Sequence, residues 1–528
     1  MDKHNPSFII FSGGTACNHI ANAFQSITAS VCYVLAISDN GGSTSELLRI
    51  LGGPAIGDLR SRLTRLITTD STDVVERLAI KELMSYRLPS DGSESSIREE
   101  WYLIVDGRHK LWNQISVEKK ETIRGFLVAF NSEILKRAHK QFNFRNGSIG
   151  NFFLTGARLF FGSLEAAIFL FSAITGIREP TYVLPCINTN HSAAIAAILE
   201  NGQILRGQCE ISHPGLNSDK HCKSVNPIDA FSKLAMPNSP VQTEDESFDR
   251  IRNDNLVFSK TADDKLDSAI RRIYYMNEYG QEIYPLPNPK VISHLNQRDF
   301  LVYSIGSLYT SLLPNLILRR VGAAISHSPS LRFKVLILNG TPDRETDGYT
   351  ALEFISTITN ALNESQLIDA RHKYYDQHSD QHDTLLTSHY YPNDAYPRPV
   401  DHGFRQWPPP PPAPLCTQHF HTDNSSSTSL VQHLLKHNGS SSIPGSGASS
   451  PGYRTPPFPP ELVPNLPPSS YITHLVYLTN SKIPVDVPAI ENLGIKCIPV
   501  QGELSTSEPR YTADTLQHLI ERLLTSSD

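Results

Sequence analysis

The stretch "FIIFSGGTACNHIANAF", residues 8–24, sets the architecture. An apolar run from Phe8 to Phe11 stops at Ser12-Gly13-Gly14-Thr15, and a helix-like pattern comes next. A buried strand that breaks on paired glycines and re-enters a helix is a unit of an α/β sheet. Such a turn brings backbone N–H groups close to a ligand, and the helix N-terminus adds about half a positive charge. Gly13, Gly14 and Thr15 are therefore candidate phosphate-binding residues. "SGGT" is neither a Walker A loop nor a full G-x-G-x-x-G, so a tight turn without a ligand is the alternative.

Along the rest of the chain, apolar runs alternate with helical patterns. Strands are expected at 7–11, 31–37, 182–186, 301–304, 334–339, 474–478 and 496–500. Helices are expected at 19–26, 44–51, 58–68, 73–85, 118–139, 149–161, 163–175, 314–324, 350–363 and 513–524. Near-continuous Val/Ile/Leu strands alternating with helices predict an α/β protein with a mainly parallel sheet covered on both faces. At 190–211, Asn201-Gly202 sits between two apolar segments, a hairpin signal, so a small β-excursion is expected there.

Composition bounds the remaining possibilities. The 528 residues carry 47 Lys+Arg against 53 Asp+Glu, which gives no general attraction to nucleic acid or to an anionic membrane. No apolar run reaches the roughly 18–20 residues that span a bilayer. The seven cysteines include no C-x-x-C pair, which predicts reduced thiols and a cytoplasmic location. Residues 375–469, with "QWPPPPPAPLC" and "NGSSSIPGSGASSPGYRTPPFPP", are too rich in Pro, Ser and Gly to bury a core. They read as a disordered insertion in a single α/β domain formed by 1–374 and 470–528. Smaller insertions are expected at 88–122 and 213–250.

Several expected strand ends carry loops rich in Gly, Ser, Thr, Asn and Asp. After the second strand, "SDNGGSTSELLR" offers Asp39, Asn40, Gly41, Gly42 and Ser43. Asp39 there suits a sugar hydroxyl or a divalent cation, and an Asx turn is the plain alternative. In "GGPAIGDLRSRL", Asp58 suits a helix N-cap. Arg60 is unfavourable near a helix start unless it faces an anion. "NGSIGNFFLTG" adds Asn146 and Asn151, and "VLPCINTN" adds Asn188. "SIGSLYTSLLPNLI" adds Gly306, Ser307, Tyr309, Thr310, Ser311 and Asn315, and "NGTPDRETDGY" adds Thr341, Thr346 and Asp347. A crevice for a phosphorylated, hydroxyl-rich molecule accounts for all of these loops together.

The motifs "FSGGTACNHIANAF", "SDNGGSTSELLR", "GGPAIGDLRSRL", "GSIGNFFLTG", "VLPCINTN", "GSLYTSLLPNLI" and "ETDGY" occur in the order seen in the CofD/YvcK family. The sequence resembles the YvcK branch more closely, through the loop "DNGGS". Ala16-Cys17 and the insertions depart from the family pattern. The resemblance implies a Rossmann-like three-layer sandwich that binds a nucleotide-diphosphate compound. In CofD enzymes, 2-phospho-L-lactate transferases, that compound is used with magnesium. In YvcK proteins it is a UDP-sugar, and the role is regulatory, in carbon metabolism. The resemblance therefore carries two expectations. As a transferase, Asp39 would bind magnesium with Asp58 as helper, Arg60 would stabilise phosphate charge, and the glycine loops would hold the diphosphate. As a sensor, the same loops would bind a UDP-sugar without catalysis. A homodimer and a protein partner for the Pro-rich insertion are further expectations.

Overall fold

The computed structural model describes residues 5–14, 16–67, 74–137, 140–212, 265–277, 279–378, 458–504 and 508–525. Thr15, the 213–250 segment and most of the 375–469 segment lie outside these residues. The chain divides into a unit of Met1–Tyr374 with Phe458–Asp528 and a second unit, Tyr375–Pro457. The first unit holds both larger sheets.

Eleven strands build these two sheets. In chain order they are β1 (Phe8–Ser12), β2 (Val31–Leu35), β3 (Tyr182–Pro185), β4 (Ala194–Leu199), β5 (Ile204–Arg206), β6 (Ile270–Met276), β7 (Glu282–Ile283), β8 (Phe300–Tyr303), β9 (Phe333–Ile337), β10 (His474–Leu478) and β11 (Lys496–Val500). The main sheet has the order β11-β10-β9-β8-β1-β2-β3, and every pairing in it is parallel. These are the seven strands expected from the sequence. They were legible because β1, β2, β8 and β9 are buried on both faces and so read as unbroken apolar runs.

Phe8 pairs with Val31 on one side and Phe300 on the other. The Phe300 and Phe333 rings stack at 4.3 Å. Phe24 and the helix Ala513–Thr525, through Leu516, Leu519, Ile520 and Leu523, meet Phe8, Phe300, Val335 and Val476 on one face. Elsewhere the Tyr303 hydroxyl donates to the Tyr471 carbonyl, and Tyr471 in turn donates to Asn363 of the long helix Ala351–His378.

Among the described residues, eight α-helices precede β3: α1 (Ala21–Gln25), α2 (Gly42–Leu51), α3 (Gly57–Arg65), α4 (Val74–Ser85), α5 (Glu94–Val105), α6 (Val117–Leu135), α7 (Ile149–Phe161) and α8 (Leu164–Thr175). The segment 88–122 supplies α5. Its fully buried Trp101 packs on Phe130, Phe144 and Phe152 with ring centroids 5.2–5.8 Å apart. The segment is thus part of the core.

The β-excursion is a four-stranded antiparallel sheet, β5-β4-β6-β7. Gly202, at φ +86°, makes its first turn, a conformation glycine adopts without strain. Strand β6 was not anticipated, because the adjacent Arg271-Arg272 breaks the alternation of "IRRIYYM". The helix expected at 314–324 is broken instead. A π-helical turn Leu308–Leu312 leads into Leu313–Leu316, and a separate helix Val321–Ser326 follows Arg320 at φ +66°. Pro314 removes one helical N–H, and Asp369 takes the Arg320 backbone N–H. Residues 458–469, expected within the insertion, touch the long helix. Leu466 and Asn363 exchange two hydrogen bonds, and the Phe458 ring lies 5.5 Å from Tyr374.

Candidate functional site

Strand order reverses at β1. From it the chain builds β2 and β3 to one side and β8 to β11 to the other. In open parallel sheets this is where ligands bind, outside the carboxyl ends of the strands. Three serines at that edge, Ser12, Ser38 and Ser304, have buried hydroxyls with no partner among the described residues. They lie at the ends of the adjacent strands β1, β2 and β8.

The Gly13-Gly14 turn is held between two side chains. A Cβ on Gly13 would lie 2.5 Å from Ser311 Oγ, and one on Gly14 would lie 1.9 Å from Asp58 Oδ1. The glycines are therefore needed because protein atoms fill the space a side chain would take. Asp58 does not N-cap α3 either. Ile56 holds that position, and Asp58 in the first turn accepts from the Gly14 N–H. Burial pushes the Asp58 carboxyl up to about 7, and the neighbouring Asp39 carboxylate adds to the rise.

Asp39 comes after β2. Its Oδ1 accepts from the Gly41 N–H at 2.9 Å, which is the Asx turn, while Oδ2 lies toward the start of α3. Asn40 turns the other way and accepts from the Cys209 N–H at 3.1 Å, tying the loop to the short helix Gln208–Ser212. Gly41 caps α2 without a side chain, and Gly42 starts the helix at φ +54°.

Ser43, in the first turn of α2, is buried. Its Oγ accepts from Asn151 Nδ2 at 3.1 Å and from Arg87 Nη1 at 3.2 Å. Asn151 Oδ1 accepts from Arg60 Nε at 3.2 Å. Asn146, at φ +53°, contributes its carbonyl, which accepts from Arg87. Burial lowers the Arg60 pKa to about 10, and the nearby Arg87 charge pushes the same way. Helices α2, α3 and α7 all begin here, and none has a side-chain cap on its N-terminal amides.

The second glycine loop is differently occupied. The Gly306 N–H donates to Asn339 Oδ1, and Asn339 returns a bond to the Gly306 carbonyl. The N–H groups of Tyr309 and Thr310 donate to Glu345 Oε2 at 2.9 and 3.1 Å. A protein carboxylate thus takes two amides of this turn, and Ser307 and Ser311 are partly buried. Thr310 donates its hydroxyl to Glu345, Tyr309 to the Ile270 carbonyl, and Thr346 to Asp343. The Asn315 amide donates to the Ser311 and Leu312 carbonyls. Thr341 is partly buried in the loop after β9, and Asn188 is exposed past β3. Asp347 pairs at the surface with Lys265, 2.8 Å away.

Arg87 and Asn339 were missed. Arg87 lies in no recognisable motif, and Asn339 was passed over although it opens "NGTPDRETDGY". Arg87 reaches the site only because residues 86–88 bond backbone to backbone with 147–149. Among the described residues no group of three His, Cys, Asp or Glu could hold a metal ion, and no helix is long and apolar enough to cross a membrane.

The profile of the family described as 2-phospho-L-lactate transferase CofD matches residues 8–401. The chain is similar to an uncharacterized protein of Saccharomyces cerevisiae, 40% identical over 376 residues, 67% of this chain and 82% of that one. It is also similar to the gluconeogenesis factor of Bacillus subtilis, 22% identical over 358 residues, covering 68% of this chain and 75% of the relative. A putative gluconeogenesis factor of Nostoc is 23% identical over 366 residues, covering 69% of this chain and 54% of that one. A crystal structure of a UPF0052-family protein from Bacillus halodurans shares the fold, with a TM-score of 0.51 at 15% identity, covering 98% of this chain and 99% of that one.

Proposed function

The chain belongs to the 2-phospho-L-lactate transferase CofD family, and on that basis we propose that it binds a nucleotide-diphosphate compound, with magnesium, at the carboxyl edge of β1, β2 and β8. The observation that carries this is the Asp39–Asp58 pair. Burial first, and the Asp39 carboxylate second, disfavour charge on Asp58, whose proton is held up to about pH 7. Asp39 and Asp58 would hold a divalent cation, whose charge would offset that repulsion. The donor set is all oxygen, which suits a hard cation. With only two carboxylates available, magnesium would complete its shell with water and the ligand's phosphates, its usual habit. When bound, it would supply neutralising charge at the diphosphate.

This chain's own groups would do the rest. Arg60 lies beside Asp58 and would draw the phosphoryl oxygens toward the pair. The uncapped amides of α2 and α3 favour the same anion. In the transferase reading, the oxygen of an acceptor alcohol forms the new P–O bond to the distal phosphorus as the P–O–P bridge breaks, the nucleoside monophosphate leaves with the bridging oxygen, and the alcohol's proton passes to solvent. The second reading is a UDP-sugar-binding regulator, and the relatives named gluconeogenesis factors favour it.

Asp39→Asn separates the two, because it keeps shape and removes charge. Calorimetry of UDP-glucose binding, with and without magnesium, is expected to show at least about tenfold tighter binding with the metal in the parent and no metal effect in the variant. A parent indifferent to magnesium, releasing no nucleoside monophosphate from any diphosphate donor, would overturn the metal-dependent reading and leave the regulator.

A further inference from the structure

Four side chains between α2, α3 and α7 form a cluster with donors left over and no acceptor among the described residues to receive them. The Ser43 Oγ accepts two hydrogen bonds, from Asn151 and Arg87, so its own proton is left to donate. The Asn151 amide is used on both sides, toward Ser43 and Arg60. Arg60 spends only Nε and Arg87 only Nη1, so most of both guanidinium forks face no acceptor among the described residues. No described carboxylate lies within ion-pair distance of either, although the Asp58 charge is felt at Arg60. Two cations meet over buried Ser43 and Asn151, and Arg87 is exposed to solvent.

The backbone enforces this arrangement. Leu88 N–H donates to the Gly147 carbonyl and Ile149 N–H to the Tyr86 carbonyl, which pins Arg87 against the start of α7. Gly150 lies against this arrangement, since a Cβ there would stand 2.4 Å from the Met84 carbonyl oxygen and 2.9 Å from Arg60 Cγ. Placing two guanidinium groups together over neutral partners is unfavourable unless an anion joins them.

We propose that Arg87, with Arg60, Ser43 and Asn151, forms an oxyanion subsite for a phosphoryl group beside the Asp39–Asp58 pair, with Arg60 shared between the two. The subsite deepens the nucleotide-diphosphate reading and rests on it for the identity of the molecule that carries the group. Two sources share this chemistry: a phosphate of the bound nucleotide diphosphate, or a phosphate on a separate second molecule.

The test uses the full-length protein, with UDP and inorganic phosphate as probes in calorimetry at fixed low salt. Arg87→Gln is expected to weaken binding of at least one probe by about tenfold or more, with the thermal midpoint unchanged. Arg87→Lys, which keeps charge and loses the fork, is expected to recover part of the loss. Competition between UDP and phosphate in the parent assigns the subsite to the nucleotide's own phosphate. Phosphate binding undiminished by saturating UDP assigns it to a second molecule. Binding of phosphate through Arg87 by a parent that ignores UDP would sink the nucleotide reading and leave the subsite standing. Equal affinity of Arg87→Gln and parent for both probes, or no binding of either by the parent, overturns the subsite.

Discussion

Gly14 and Gly42 look alike in the sequence, each in a Gly-Gly pair after a strand, yet they are glycine for different reasons. Gly42 needs its positive φ, and a Cβ there would meet nothing within 4 Å. An alanine would cost it about 1 kcal/mol of backbone strain and little else. At Gly14 the difficulty is space, because a Cβ would lie 1.9 Å from Asp58 Oδ1 and 3.1 Å from the Asp58 Cα. The carboxylate must move for any side chain to fit. Gly14→Ala is therefore expected to weaken magnesium-dependent ligand binding about tenfold or more, and Gly42→Ala severalfold at most, as read by calorimetry on folded protein. Equal effects of the two would show that the Asp58 position is immaterial. The sequence marked both positions, because glycine pairs at strand ends are visible, but it could not supply the reason. That depends on Asp58 meeting Gly14 from 44 positions further along the chain.

Among the elements, strands and helix starts were legible, and the connections between elements were not. Helix α7 was expected at the residues where it lies, because "GSIGNFFLTGARLFF" carries its apolar stripe and ends at Gly162. The turn after β8 was not legible in the same way. Its hydroxyls suggested ligand binding, whereas Glu345 takes the Thr310 hydroxyl with two backbone N–H groups, and the Tyr309 hydroxyl goes to the Ile270 carbonyl. That carboxylate is buried and joins three elements, accepting from Tyr309 and Thr310 of the π-helical turn and from Ser212 of Gln208–Ser212. Burial first, and Asp343 second, raise its pKa from 4.5 to about 7. A carboxyl whose pKa rises on folding binds its proton more tightly in the folded state. Its contribution is full below about 4.5 and falls as pH climbs through about 7. Glu345→Gln mimics the protonated form, since the amide can donate to the two hydroxyls while its oxygen takes the two N–H groups. The variant is expected to match the parent near pH 5 and to exceed it at pH 8, by on the order of 1 kcal/mol in denaturant unfolding. A difference that is the same at both pH values would show that Glu345 is ionised throughout.

For the whole molecule, composition separated the sheet-building sequence from the Pro/Ser/Gly-rich segment, but it placed the far boundary about a dozen residues too late. The described chain resumes at Phe458, not at 470, and the returning residues bind the long helix before β10 begins. Nothing in "FPPELVPNLPP" signals this, because the contacts are made by backbone groups of Leu466 and by one proline-flanked ring, Phe458. Two replacements test where the sheet-building unit ends. Exchanging residues 379–457 for a short Gly/Ser linker removes only sequence whose composition cannot bury a core. The thermal midpoint should stay within about 2 °C of the parent. Exchanging 380–466 also removes the Leu466–Asn363 bonds and the Phe458 contact with Tyr374. Asn363 would then lose both of its Leu466 partners, and the Arg371 cation over the Phe458 ring would lose its face. A loss of on the order of 2 kcal/mol is expected, read as a lower midpoint for the longer deletion alone. Equal midpoints for the two replacements would show that 458–466 contributes nothing to the fold. A fall in both would show that the 379–457 segment supports the sheet.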